Sequence, residues 1–157
     1  TPKARMLMGV LTLAAAISLF PAAACCRRYD VHACTDVTGF SFLGHLHEMM
    51  DGRLSCHIHA PSVPVIPQAL EYADEFLLTA AAQRNRNHTG PFVRFGGVPF
   101  AMEEVLFDPQ TSGGLLVALG AAEAEDLLAE LRSAGAAAAV VGEILERQEP
   151  EILVTTD

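Results

Sequence analysis

The chain contains no tryptophan and only two tyrosines, and its 10 Lys and Arg residues face 19 Asp and Glu for a net charge of −9. An acidic chain with so few aromatics and no basic stripe lacks the electrostatic footprint of a nucleic-acid binder. Only Arg84-Asn85-Arg86-Asn87 forms a local basic spot, and by itself it reads as a solvated loop. Cysteine is sparse: Cys25, Cys26, Cys34 and Cys56 include no C-x-x-C pair, which argues against a zinc ribbon. Without a disulfide ladder the thiols are expected to be reduced and mostly buried, in a cytoplasmic setting. Cys34 reads as a packed core thiol. Nucleophile-elbow (G-x-S-x-G) and P-loop (G-x-x-x-x-G-K-[ST]) motifs are absent as well. The six histidines do not assemble a metal set. His57 and His59 share a strand face and could chelate, His45 and His47 diverge on a helix, and no third ligand has suitable spacing.

What is present is apolar mass. The 157 residues are 51% hydrophobic, enough for one domain with a real core. No linker or internal repeat divides residues 1–157, which read as a single domain. Leu7 to Ala24 is almost entirely apolar and is preceded by Lys3 and Arg5. That outline fits a secretory or lipoprotein signal, or a core helix ended by Pro21. The absence of Met at position 1 favours a piece of a longer protein. The expectation is therefore a leading apolar helix within residues 1–30, with no membrane association.

Downstream, pattern predicts strands over 31–35, 54–60, 92–95, 115–119, 137–145 and 151–155. Helices are expected over 38–51, closed by Asp51-Gly52, over 67–76, begun by Pro67, and over 121–134, closed by Gly135. Residues 80–90 read as a polar loop and 102–106 as one helical turn. The irregular alternation predicts an α/β (α+β) fold, a mixed β-sheet packed with helices.

Two segments carry candidate chemistry. In Thr35-Asp36-Val37-Thr38-Gly39-Phe40, Asp36 sits where a buried strand meets a helix start. A carboxylate there can ligate magnesium, Thr35 and Thr38 can add hydroxyl contacts, and Gly39 lets backbone N–H groups approach an anion. Chemistry alone favours Asp36 or Thr38 as an ordinary helix cap, because such caps are common. In Asp108-Pro109-Gln110-Thr111-Ser112-Gly113-Gly114, the Ser112-Gly113-Gly114 backbone can form an anion-binding nest or simply a tight turn.

Together, and in this order, the two strings resemble those of selenophosphate synthetase (selenide, water dikinase). The likeness extends over Val31 to Phe40, Leu43-Gly44-His45 and Leu106 to Leu116. Two departures stand out. Ser41 replaces a usual glycine, and only Arg84-Asn85 remains of a Gly-Gly-Thr-x-Arg-Asn element. The resemblance implies the C-terminal domain of the aminoimidazole ribonucleotide synthetase superfamily. It implies an enzyme making selenophosphate, AMP and phosphate from ATP, water and selenide, with Mg2+ bound through Asp36. Thr35, Thr38, Gly39, Ser112 and Gly113 would lie at the ATP phosphates. An N-terminal domain of the same protein, absent here, would hold most of the ATP site and form the homodimer. No catalytic residue is expected in this chain, which alone would be inactive. The alternatives are another ATP-dependent enzyme of the superfamily, or a secreted or lipid-anchored binding protein if residues 7–24 are a signal segment.

Overall fold

The computed structural model describes residues 4–10 as backbone, and residues 22–111 and 113–157 in full. Its strands are β1 (Ala4–Val10), β2 (Val31–Asp36), β3 (Leu54–His59), β4 (Val93–Gly96), β5 (Leu115–Leu119), β6 (Ala137–Glu146) and β7 (Ile152–Thr155). Its helices are α1 (22–26), α2 (Ser41–Met50), α3 (Pro67–Asp74), α4 (Ala80–Thr89), α5 (Phe100–Phe107) and α6 (Ala121–Ser133). The described strands form one mixed sheet in the order β2-β5-β1-β6-β3-β7-β4. β7 runs parallel to β3 and β4, and the other pairings are antiparallel. The mixed sheet with packed helices expected from the sequence is present.

The period-two geometry of β5 divides the core. Leu116 and Ala118 pack with Phe42, Leu43, Leu46 and Met50 of α2 and with Leu106 and Phe107 of α5. Val117 and Leu119 face the opposite way, onto Ala22 and Cys25 of α1 and Ala124, Leu127, Leu128 and Leu131 of α6. The sheet is thus covered on both faces. Phe42, Leu46 and Met50 recur every four residues and lie on one face of α2. The helix ends at Asp51 in the left-handed region (φ 52°) and is followed by Gly52 (φ 62°), as the turn chemistry predicts.

The sequence expectations need three corrections. Residues 4–10 are not helical: β1 lies between β5 and β6 and pairs with both, with Leu7 opposite Val117 and Val140. An unbroken apolar run suits a central strand as well as a buried helix, so periodicity could not separate them. A central strand also opposes the signal-segment reading at its described end. Residues 11–21 of the expected helix lie outside the described residues, and no helix among those described is long and apolar enough to cross a membrane. The polar loop at 80–90 is instead α4, capped by Thr79, whose hydroxyl accepts the Ala82 N–H at 3.0 Å. Finally, Cys34 is exposed on the edge strand β2 rather than packed in the core.

Candidate functional site

β2 and β5 are antiparallel neighbours, with Asp36 opposite Leu115. The loop leaving β2 therefore meets the loop entering β5. Val37 N–H donates to the Gly114 carbonyl at 2.8 Å, Gly113 N–H donates to the Val37 carbonyl at 3.0 Å, and Gln110 N–H donates to the Thr38 carbonyl at 3.0 Å. Val37 is buried between them. The two segments singled out from the sequence are one continuous surface, held by backbone hydrogen bonds.

A third segment locks this junction. The Asn85 side-chain amide donates to the Gly39 carbonyl at 3.0 Å and to the Phe107 carbonyl at 3.1 Å. One α4 side chain thus ties the β2–α2 loop to the end of α5. Next along the helix, Arg86 Nη1 donates to Glu104 and Nη2 to Glu103, both at 2.7 Å, and its guanidinium lies over the Phe107 ring. Gln83 Nε2 adds a 3.1 Å bond to the buried Glu104. Arg86 is a structural clamp rather than a solvated charge, whereas Arg84 is exposed.

Asp36 is exposed at the end of β2, and no described side chain hydrogen-bonds to its carboxylate. Asp108 is different. It accepts a 3.1 Å bond from the Thr79 hydroxyl, and burial raises its pKa while that bond opposes the shift. Of the two acidic residues, Asp36 is the one turned outward. Neither Asp36 nor Thr38 caps α2: Phe40 holds the N-cap position with no side-chain cap bond, and the Ser41 hydroxyl accepts the Gly44 N–H at 3.3 Å. Ser41 is buried with φ 71°, so a serine adopts the left-handed backbone that a glycine would adopt at no steric cost.

Thr35, Asp36, Thr38, Gly39 and Gly113 all lie at this junction, while Ser112 lies outside the described residues. The Thr35 hydroxyl donates to the Asp36 carbonyl at 3.2 Å. Gly113 is buried, and its N–H is already spent on Val37, so it builds the loop's shape. Sequence reasoning missed the Asn85 tie, for which the remnant Arg84-Asn85 was the available signal.

The donor set fits some cations and not others. Among the described residues no three His, Cys, Asp or Glu side chains gather as a metal site, and His57 and His59 instead contact the Thr155 and Ser62 hydroxyls, each at 2.7 Å. A lone outward carboxylate beside hydroxyls and carbonyls cannot complete a structural zinc site. It does suit magnesium, which keeps waters and is bound by one or two carboxylates plus substrate phosphates.

Comparison with known proteins is consistent with this geometry. Residues 12–155 match the family model described as AIR synthase related protein, C-terminal domain. The chain belongs to this family. Among curated relatives it is 60% identical over 127 residues to the selenide, water dikinase of Agathobacter rectalis, covering 80% of this chain and 37% of that protein. It is 50% identical over 129 residues to the namesake of Pelobacter propionicus, again covering 80% and 37%. The chain therefore spans less than two-fifths of the length of these relatives, whose name is the one the sequence motifs suggested. Solved structures share the fold at low identity. Thermotoga maritima PurL complexed with AMPPCP superposes with a TM-score of 0.62 at 17% identity, covering 99% of this chain and 23% of PurL. The hydrogenase maturation protein HypE in complex with ATP gives 0.61 at 16%, covering 99% and 48%.

Proposed function

We propose that this chain is the C-terminal domain of a selenide, water dikinase, which forms selenophosphate, AMP and phosphate from ATP, selenide and water. The observation that carries the reading is the stitched junction of 36–40 with 108–114. It occurs in a chain 60% identical to a relative of that name, and it leaves one carboxylate, Asp36, turned outward. Two proteins of like fold, PurL complexed with AMPPCP and HypE in complex with ATP, support a nucleotide role for a protein built on this domain.

In this reading Asp36 would hold Mg2+, with Thr38 contributing an oxygen, Thr35 lying on the other face of β2 beside the phosphate approach, and the Gly39 and Gly113 backbone shaping that approach. Bound magnesium would neutralise developing negative charge on the transferring phosphoryl group. The chain's own task is positioning: Val37, Asn85 and Gln110 hold Asp36 and Thr38 at a fixed separation, so that little reorganisation is needed when substrate binds. One carboxylate and a few loop groups do not make a complete phosphoryl-transfer site. The remainder is assigned to an N-terminal domain of the same protein, working as a homodimer in the cytoplasm.

Selenide-dependent AMP formation tests the proposal. The polypeptide that carries this chain is expected to form AMP from ATP only when selenide is present, and Asp36→Asn to lower the rate by at least about 100-fold. This chain by itself should form none. Full activity of Asp36→Asn, or turnover by the isolated chain, would overturn the reading.

A further inference from the structure

The Thr38 hydroxyl does not choose its hydrogen bonds freely. Thr38 Oγ1 lies 3.1 Å from His45 Nε2, and His45 Nδ1 lies 3.0 Å from Glu48 Oε2. A carboxylate only accepts, so Nδ1 must carry hydrogen. In the neutral imidazole Nε2 is then an acceptor, and the hydroxyl must donate to it. In that neutral form the hydroxyl's single hydrogen is spent on the ring, and only lone pairs remain for anything else.

The surroundings hold this arrangement in place. The His45 side chain is 9% exposed and that of Glu48 is 59% exposed, so the chain of bonds runs from solvent through a buried ring to the loop. His45 and Glu48 are one helical turn apart on α2, and the Phe40 ring lies 5.7 Å from the imidazole. The Thr38 carbonyl accepts from Ser41 N–H and from Gln110 N–H, both at 3.0 Å. Backbone and side chain of Thr38 are therefore both fixed, two residues from Asp36.

We propose that His45 is a positioning residue. Through the Glu48–His45–Thr38 chain it presents Thr38 Oγ1 as an oxygen donor to a divalent cation beside Asp36, or to a water on that cation, rather than as a hydrogen-bond donor to phosphate. Nothing in composition or helical spacing signals this role, because His45 falls on the buried face of α2 and reads as a core residue. The inference rests on the magnesium reading of this loop given above.

Two measurements test it. Nitrogen-15 NMR of the imidazole rings in this chain is expected to show His45 as the Nδ1–H tautomer, a preference lost in Glu48→Ala. In the polypeptide that carries the chain, AMP formation is followed against Mg2+ concentration. Thr38→Val is expected to raise the half-saturating Mg2+ about tenfold. Thr38→Ser should recover most of that loss, and His45→Phe should reproduce it. If the two residues act as one unit, Thr38→Val combined with His45→Phe will be no worse than Thr38→Val alone. Glu48→Ala, at an exposed position, should shift Mg2+ dependence in the same direction and serves if His45→Phe does not fold. An Nε2–H tautomer, a doubly protonated ring, or an unchanged Mg2+ dependence in Thr38→Val or Glu48→Ala, would overturn the inference. Asp36→Asn separates the two claims. If it leaves Mg2+ dependence unchanged, the magnesium reading itself fails. If it alone shifts that dependence, only the role of His45 and Thr38 fails.

Discussion

Gly113 stands directly against Val37: its N–H donates to the Val37 carbonyl at 3.0 Å, and a β-carbon on Gly113 would lie 2.5 Å from that same oxygen. The second obstacle is the Gln110 Cβ, at 2.9 Å from the same point. Neither neighbour is the loose end of a flexible side chain. Gly113→Ala must therefore separate the two loops, and it is expected to destabilise the fold by about 1–3 kcal/mol, the usual range for overpacking. Urea denaturation followed by circular dichroism gives the value, and a midpoint equal to that of the parent chain would contradict the contact.

Asn85 makes a testable tie of a different kind. Asn85→Ala removes two hydrogen bonds to carbonyls that can partly turn to water, so the expected cost is about 1–2 kcal/mol. Asn85→Asp should cost more, because a carboxylate cannot donate to the Gly39 and Phe107 carbonyls and would face them with like partial charge. Thermal melts of the two variants rank them, and equal melting points would show that the amide is not the donor.

Arg86 tests a buried charge. Glu104 is 3% exposed, and Arg86 is its cationic partner. Removing one member of such a pair leaves an uncompensated charge, so Arg86→Ala should cost about 3 kcal/mol, the lower end of the usual range because the Gln83 bond to Glu104 remains. Arg86→Lys keeps the charge but cannot span Glu103 and Glu104 with a planar fork, and should fall between the two. Denaturation midpoints decide, and an Arg86→Ala protein as stable as the parent would refute the clamp.

The four described thiols are free and predict a graded labelling pattern. Partial desolvation against the sheet, with a smaller contribution from Asp36, raises the Cys34 pKa although the residue is exposed, and burial with the neighbouring Cys34 and Cys25 raises Cys26 to about 11. Raised values mean less thiolate at neutral pH, so both should alkylate more slowly than an unperturbed thiol and speed up as pH rises. Cys34 is the exposed one and should react first. Cys56, buried and shifted further upward, should react only with the unfolding rate. Mass spectrometry of iodoacetamide adducts over pH 7–10 checks the order, and early modification of Cys56 in the folded chain would break it.

Asp108 gives a pH sign to stability. Its folded pKa lies above the ordinary carboxylate value because burial disfavours the charge. The folded chain then holds more protons than the unfolded one between the two values, so this residue's contribution declines as pH rises through that window. Below the unfolded value the contribution is fully present. Asp108→Asn, which retains an oxygen for the Thr79 hydroxyl, should flatten that part of the stability profile. A parallel decline in the variant would assign it to another group.

Legibility in the sequence followed the physical source of each element's stability. Leu115–Leu119 is legible to the residue because glycines bound an apolar run that has no other use. α4 was not legible, since only Ala82 and Thr89 are buried and its hold on the fold comes from Asn85 and Arg86 reaching other segments. β1 is ambiguous in the sequence because its apolar run satisfies either a central strand or a helix, and only its partners decide. At the candidate site the two loops announced themselves by composition, but their contact depends on a β2–β5 pairing between distant parts of the chain. Nor could spacing show that Asp108 turns to Thr79 while Asp36 turns outward.

The place of β1 in the sheet sets an order of events during synthesis. Ala4–Val10 is made before either neighbour, Leu115–Leu119 or Ala137–Glu146, exists. Until Leu115–Leu119 emerges the first strand has both edges unpaired, and until Ala137–Glu146 follows it keeps one open edge and the two flanks of the sheet have nothing to join them. Closure of the sheet is thus a late, long-range step, of the kind that makes folding slow and leaves apolar segments open to misassociation. A nascent chain stalled before residue 137 should remain accessible to proteases and chaperones at its first strand, however complete its helices are.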